Sequence, residues 1–307
     1  MKHGGNSVLD YLSMVLMAIL WAGAFVAGKL SVSTVPPDIV AFLRFFIAGT
    51  VLVGIAAIWG KESLKLPRRN FLLACGLGLT GIAGYNLLFF IGLQYTPSSD
   101  GAMIIPTLTP VVTLFAAALL LGEALTQRKL LGAAISLGGQ ALIFWALLST
   151  VAHDPARLKG DLIYLAAMFF WAAYGIIGRI AAKRFTPLGA TTWGSITGTL
   201  MLLPFALWSF PGSGGYKPMF WADVVYLALG ATVAGFFLWS RGLKILGASR
   251  SAVFMNMVPV FTVILAFLIL GERPSWLQVA GMLVVLTGVY ITQSGPAPAA
   301  VKAEVSA

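Results

Sequence analysis

The sequence predicts an all-α polytopic membrane protein whose ten transmembrane helices form two inverted five-helix repeats. Three observations carry this. Of 307 residues, 59% are hydrophobic and only 10% are charged, against about 25% charged in a soluble domain, so no aqueous core could hide the apolar surface. Nearly the whole length falls into apolar runs of about 18–25 residues, enough to cross roughly 30 Å of hydrocarbon as helix. Finally, the second half of the chain respells the first. Backbone groups in lipid must be satisfied within their segment, which leaves helix or closed barrel. The runs are too long and too uniformly apolar for the alternating ten-residue strands of a barrel.

The first span, Tyr11–Leu30, reads "YLSMVLMAILWAGAFVAGKL" and is too long for the apolar part of a signal peptide. The second, Pro37–Trp59, carries Arg44 within "AFLRFFIAG". The third, Phe71–Tyr95, is rich in glycine ahead of Tyr85 and Asn86. The fourth, Gly101–Leu121, holds Pro106 and Pro110, and the fifth, Leu130–Leu148, contains "LGAAISLGG". The sixth is Leu162–Ile180, with "WAAYGIIGRI", and the seventh is Pro187–Phe210. Trp221–Gly242, Ala252–Leu270 and Trp276–Gln293 complete the set. The first repeat covers 8–148 and the second 160–294, and a Pro/Ala-rich tail, 295–307, is expected to be disordered.

The repeat is legible residue by residue. Pro110–Glu123 and Pro259–Glu272 align without a gap and agree at 8 of 14 positions. Trp21–Leu30 matches Trp171–Ile180 at an offset of 150. Five spans per copy is an odd number, so the second copy enters the membrane from the opposite face. Inverted repeats of this kind are typical of secondary transporters, with the solute site between the halves near the midplane. Ten spans in two copies, the opening Trp followed by Gly-Lys or Gly-Arg, and the paired "LGE" endings of spans four and nine resemble the drug/metabolite transporter superfamily, EamA type. The resemblance covers about residues 8–294 and is greatest to the amino-acid exporter branch called YddG. It implies export of small metabolites, amino acids among them.

Charge sets orientation. The net charge is +10, and the cations lie in membrane loops, so a nucleic-acid partner is not indicated. With the N-terminus inside, 14 Lys and Arg fall on the inner side and 5 on the outer, Arg44 standing apart. Both termini are therefore expected in the cytoplasm of a bacterial cell, with the chain in the inner membrane as a monomer.

Polar groups within lipid are functional candidates, and this chain has few. Arg44 admits two readings. It is either a structural ion pair docking span two, with Asp100 or Glu272 as partner, or a clamp for a solute carboxylate. Trp21, Tyr85, Phe89, Trp171, Tyr174, Phe236 and Trp239 lie mid-span rather than at the interfacial positions usual for aromatic belts. Packing explains any one of them. Asn86, Asn256, Thr107 and Ser240 at similar depth turn the set into a lined cavity for a small organic solute. Pro106, Pro110 and Pro259 are expected as kinks, either packing kinks or hinges for alternating access. Glu123 and Glu272 are expected as interfacial stops or salt-bridge partners.

Other classes lack their groups. The two histidines, His3 and His153, lie outside the spans, and Cys75 is the single cysteine. No metal site, cofactor or acid/base pair for intramembrane hydrolysis is indicated. No carboxylate falls near the midplane, which points to an uncoupled facilitator over a proton- or sodium-coupled drug antiporter. One arginine is thin provision for phosphorylated metabolites, and a lipid carrier stays open.

Overall fold

The structure, a computed structural model, describes residues 8–121, 125–151, 154–210, 216–246, 251 and 254–293. Glu123 and the C-terminal tail lie outside these. The described residues form ten helical spans: α1 Val8–Val32, α2 Pro37–Trp59, α3 Arg68–Tyr95, α4 Ser98–Leu121, α5 Gln127–Val151, α6 Pro155–Ala181, α7 Pro187–Trp208, α8 Pro218–Leu246, α9 Met257–Leu270 and α10 Trp276–Gln293. Seven are long and apolar enough to cross a membrane, and α9 and α10 are shorter apolar helices. The exception, α7, carries Thr192, Ser195, Thr197 and Thr199 on a buried face. Thr197 reaches across to donate to the Ala74 carbonyl of α3 at 2.9 Å.

Helix pairing repeats with the sequence. The helices α5 and α10 pack along each other, as do α2 and α7, each against its own repeat mate. Then α4 packs on α6 as α9 packs on α1, and α3 packs on α6 and α7 as α8 packs on α1 and α2. This is the pattern of a twofold axis relating the halves. The helices α5 and α10 approach each other closely through glycine. A Cβ on Gly139 would stand 2.7 Å from the Gly281 carbonyl, and one on Gly288 would stand 2.5 Å from that of Gly132. In lipid such close backbone contact replaces the hydrophobic drive that water supplies.

Three spans depart from the uniform helices expected. Helix α3 turns π-helical over Gly78–Gly84, α8 over Tyr226–Ala234 and α9 over Ala266–Leu270. The first two are repeat mates, and such wide turns often mark functional positions. The start of α6 also differs. It begins at Pro155, seven residues ahead of Leu162, because Asp154 caps it by accepting from the Arg157 amide at 3.2 Å and Pro155 occupies its first position. Arg157, Lys159 and Asp161 therefore lie on helix, not in a loop.

Pro106 and Pro110 lie inside α4, where each removes a backbone donor from the helix. Pro259, expected within span nine as a kink, falls at the third residue of the segment Met257–Leu265, where an amide has no intrahelical partner to lose. The helical run is interrupted one step earlier, in a turn at Asn256.

The end of the bundle where α1, α3 and α9 finish and α4 and α6 begin is pinned by polar contacts. Arg157 grips buried Asp100 with two bonds, Nε to Oδ2 at 2.7 Å and Nη2 to Oδ1 at 2.9 Å, and Gln278 donates to the same carboxylate at 3.3 Å. Lys29, in the last turn of α1, donates to the Leu93 and Thr96 carbonyls at 2.6 and 2.8 Å, so it serves the C-terminus of α3 as well as that of its own helix. Glu272 follows the end of α9 and, among the described residues, makes no ion pair within 4 Å. Its carboxylate accepts from the Ser98 and Ser99 amides at 2.7 and 2.9 Å, capping α4. Gly271 makes this possible by taking φ 68°, a left-handed turn that ends α9.

Candidate functional site

A cavity lies at the centre of the bundle. Its free volume is ≈ 740 Å³ counting the part that opens outward, within the roughly 300–1,000 Å³ usual for small-molecule sites. The wall draws on α1, α2 and α3, on α4 through Ile105 and Pro106, on α6 and α8, on Met255 just ahead of α9, and on α9 through Val258. Both halves thus contribute, while α5, α7 and α10 stay outside it.

Nearly half of the lining residues are aromatic, because α1, α2, α3, α6 and α8 each turn rings inward. Trp171 stands between Tyr85, at 4.7 Å between ring centres, and Tyr174 at 5.1 Å. Tyr85 stacks on Phe89 at 5.7 Å, and Phe25 meets Phe89 edge-on at 5.0 Å. Trp21 of the first half packs edge-on against Phe236 of the second at 5.5 Å. Its indole N–H donates to the Ala231 carbonyl at 3.0 Å, within the π-turn of α8. Glycine makes room for these rings: a Cβ on Gly81 would stand 2.3 Å from the Tyr174 ring, and one on Gly235 2.5 Å from Trp21 Nε1.

Of the residues singled out in the sequence, Trp21, Tyr85, Asn86, Phe89, Trp171, Tyr174, Phe236, Arg44 and Pro106 line this cavity. Trp239 does not. It sits behind Trp21, with ring centres 5.8 Å apart, in a cluster with Met14, Met17 and Phe254. Three residues beyond Phe236, it is rotated some 60° and displaced by nearly a turn. Asn256 is also off the wall, because Met255 and Val258 take the inward positions around it. Pro110 and Pro259 are not part of the lining, and neither are Thr107 and Ser240. Thr107 is turned towards α5, where it meets Gln140 at 3.2 Å.

Arg44 is buried on α2. Neither expected carboxylate reaches it: Asp100 belongs to Arg157 and Gln278, and Glu272 to the start of α4. Its bonds go to neutral oxygens instead, Nε to Thr232 Oγ1 at 3.0 Å and Nη1 to Asn86 Oδ1 at 3.2 Å. Each acceptor is itself held by a carbonyl of a π-turn. Asn86 Nδ2 donates to Gly81 O at 3.0 Å, and Thr232 Oγ1 to Leu227 O at 2.9 Å. Arg44 therefore ties the π-turn of one half to that of the other. Asn86, expected as a polar contact for a solute, has both ends of its amide engaged in framing the arginine. Thr232 was not singled out, because a threonine in an apolar run carries no distinguishing pattern. Phe25 had a signal, its i+4 spacing from Trp21.

Comparisons with known proteins agree with this architecture. The model of the EamA-like transporter family matches the chain twice, over residues 9–145 and 158–293. The chain is 32% identical over 287 residues to an uncharacterized transporter, YyaM, of Bacillus subtilis, with 93% of each covered. It is 28% identical to a probable terminal-alkyne amino-acid exporter of Streptantibioticus cattleyicolor, over 91% of both chains. To a probable amino-acid metabolite efflux pump of Salmonella typhimurium it is 26% identical, over 93% of this chain and 95% of that one. A solved crystal structure 21% identical to it matches 92% of the chain with a TM-score of 0.66, a likeness of fold alone. Matched in both halves and along its length, the chain belongs to the EamA-like transporter family, and is a multi-pass membrane transporter and not an enzyme.

Proposed function

We propose that the protein exports small metabolites, aromatic and neutral amino acids first among them, by alternating access and without ion coupling. The observation that carries this is the central cavity walled by rings from both halves, where rocking one half against the other would expose a bound solute to each side in turn. The amino-acid exporters among its relatives support the substrate class, and the resemblance to the YddG branch points the same way. Among the described residues no carboxylate lines the cavity, so a cationic drug has no counter-charge there and a proton has no carrier beside the solute.

One observation favours a second reading, proton coupling. Asp161, at the start of α6, is 1% exposed and its Oδ1 has no hydrogen-bond partner among the described residues. A buried carboxylate is the kind of group through which proton coupling works in a membrane. Counterflow in proteoliposomes against a panel of amino acids, amines and sugars tests the substrate class. Imposed pH and sodium gradients test the coupling. The facilitator shows flux without a gradient and no uphill accumulation with one. Accumulation driven by a pH gradient and lost in Asp161→Asn would establish the second reading instead.

We further propose that the protein lies in a bacterial inner membrane as a monomer with both termini in the cytoplasm; the excess of cations in one set of loops supports that orientation. Exposed Lys65 and Lys217 lie in loops on opposite sides. In a Cys75-free background, Lys217→Cys is expected to react with an impermeant maleimide added to whole cells, and Lys65→Cys only after lysis. The reverse pattern would invert the orientation.

A further inference from the structure

The cavity holds a fixed positive charge that no described residue neutralises. Arg44 is 8% exposed, lines the cavity, and is the only ionised side chain among the described residues to do so. No carboxylate among the described residues pairs with it; its contacts are two neutral oxygens and the faces of Phe45 and Phe90, at 5.0 and 6.0 Å from the guanidinium carbon. A guanidinium has five N–H donors. Two are engaged, which leaves three, and Nη2 bonds to no described residue. A buried charge in this condition is costly until an anion joins it.

The framing is specific. Thr232 gives its hydroxyl hydrogen to Leu227 O, so what it turns to Arg44 is a lone pair. Asn86 gives its amide hydrogens towards Gly81 O, so its carbonyl oxygen faces the guanidinium. The side chain is thus oriented without being neutralised. A structural strut would be better served by a carboxylate. An arrangement that holds the fork in place while leaving donors unused suits a ligand that brings its own negative charge.

We propose that Arg44 is the anchor for a carboxylate of the transported solute, so that the substrates are small monocarboxylates with an apolar or aromatic body, α-amino acids included. Amines, and neutral amides of the same shape, are excluded. This rests on the reading of the cavity as the solute site. A carboxylate accepts charge-assisted bonds from a guanidinium in a bidentate fashion. An α-ammonium group would lie over the ring faces of Trp21, Trp171 or Tyr85, which attract cations. A phosphate dianion would find one cation where it needs several. Because Arg44 bridges Asn86 in the first half and Thr232 in the second, the solute's charge binds at the joint between the moving halves.

The test is a matched series on the wild-type protein: phenylalanine, phenylpropionate, phenylalaninamide and phenethylamine. Each competes against labelled phenylalanine in counterflow, and each is titrated against tryptophan fluorescence in detergent. Phenylalanine and phenylpropionate are expected to compete, with the amide and the amine about 10- to 100-fold weaker, the range for hydrogen bonds to a charged group. Arg44→Gln is expected to erase the preference for acid over amide, and Arg44→Lys to retain part of it. If the amide and amine compete as well as the acids, or the acid preference survives in Arg44→Gln, the anchor is overturned while the cavity reading stands. If no compound binds or exchanges in the wild type, the cavity reading fails and the anchor with it. The wild-type series decides even if the Arg44 variants do not fold.

Discussion

Trp171→Ala is expected to lower solute flux about 10- to 100-fold at sub-saturating solute, with the protein still reaching the membrane. Trp171 is stacked between Tyr85 and Tyr174 and faces the cavity. Each aromatic pair contributes about 0.5–1.5 kcal/mol beyond burial, so removing the indole loosens two pairs and takes away the broadest surface a solute could rest on. A loss of about 1.4–2.8 kcal/mol corresponds to that range of flux. Trp21→Ala should act similarly, but it also frees the Ala231 carbonyl. Trp21→Phe separates the two effects, since it keeps a ring and loses only the bond. Trp239→Ala should be milder, because that ring backs Trp21 without lining the cavity. Initial rates in proteoliposomes, normalised to reconstituted protein, read the order. Normal transport by Trp171→Ala together with a severe loss in Trp239→Ala would move the site elsewhere.

Glu272→Ala should cost about 2–4 kcal/mol of stability, because one carboxylate satisfies two amides at the partly buried start of α4. Hydrogen bonds to a charged group contribute about 1.5–3 kcal/mol each, and loss of a cap alone costs about 0.5–2 kcal/mol. The negative charge also favours the positive end of the α4 dipole. Glu272→Gln keeps one acceptor oxygen and should fall between wild type and alanine. Thermal unfolding in detergent reads the effect, and solute affinity in the folded protein should change little, since Glu272 does not line the cavity. An unchanged unfolding temperature in Glu272→Ala would show that the two bonds contribute nothing. The paired "LGE" endings thus have an explanation in the second repeat: glycine supplies the left-handed turn, and glutamate uses that turn to fasten α9 to α4.

By itself the sequence determined the ten spans, their pairing into two copies and most of the ring-lined wall. The reason is that lipid as solvent imposes run length and composition, and a duplication prints the same residues twice. Trp21 and Trp171 were legible as mates at mid-depth for this reason. Tertiary structure decided what depends on which helices meet. Arg44 bonds a threonine 188 residues away, and no local pattern encodes that pairing. The π-turns at Gly78–Gly84 and Tyr226–Ala234 shift the hydrogen-bond register by one residue without changing composition, so glycine content hinted at the first and nothing marked the second. Depth alone placed Trp239, Asn256 and Thr107 beside the cavity. Rotation about their helix axes, set by packing against α1 and α5 and by the turn at Asn256, took them off its wall.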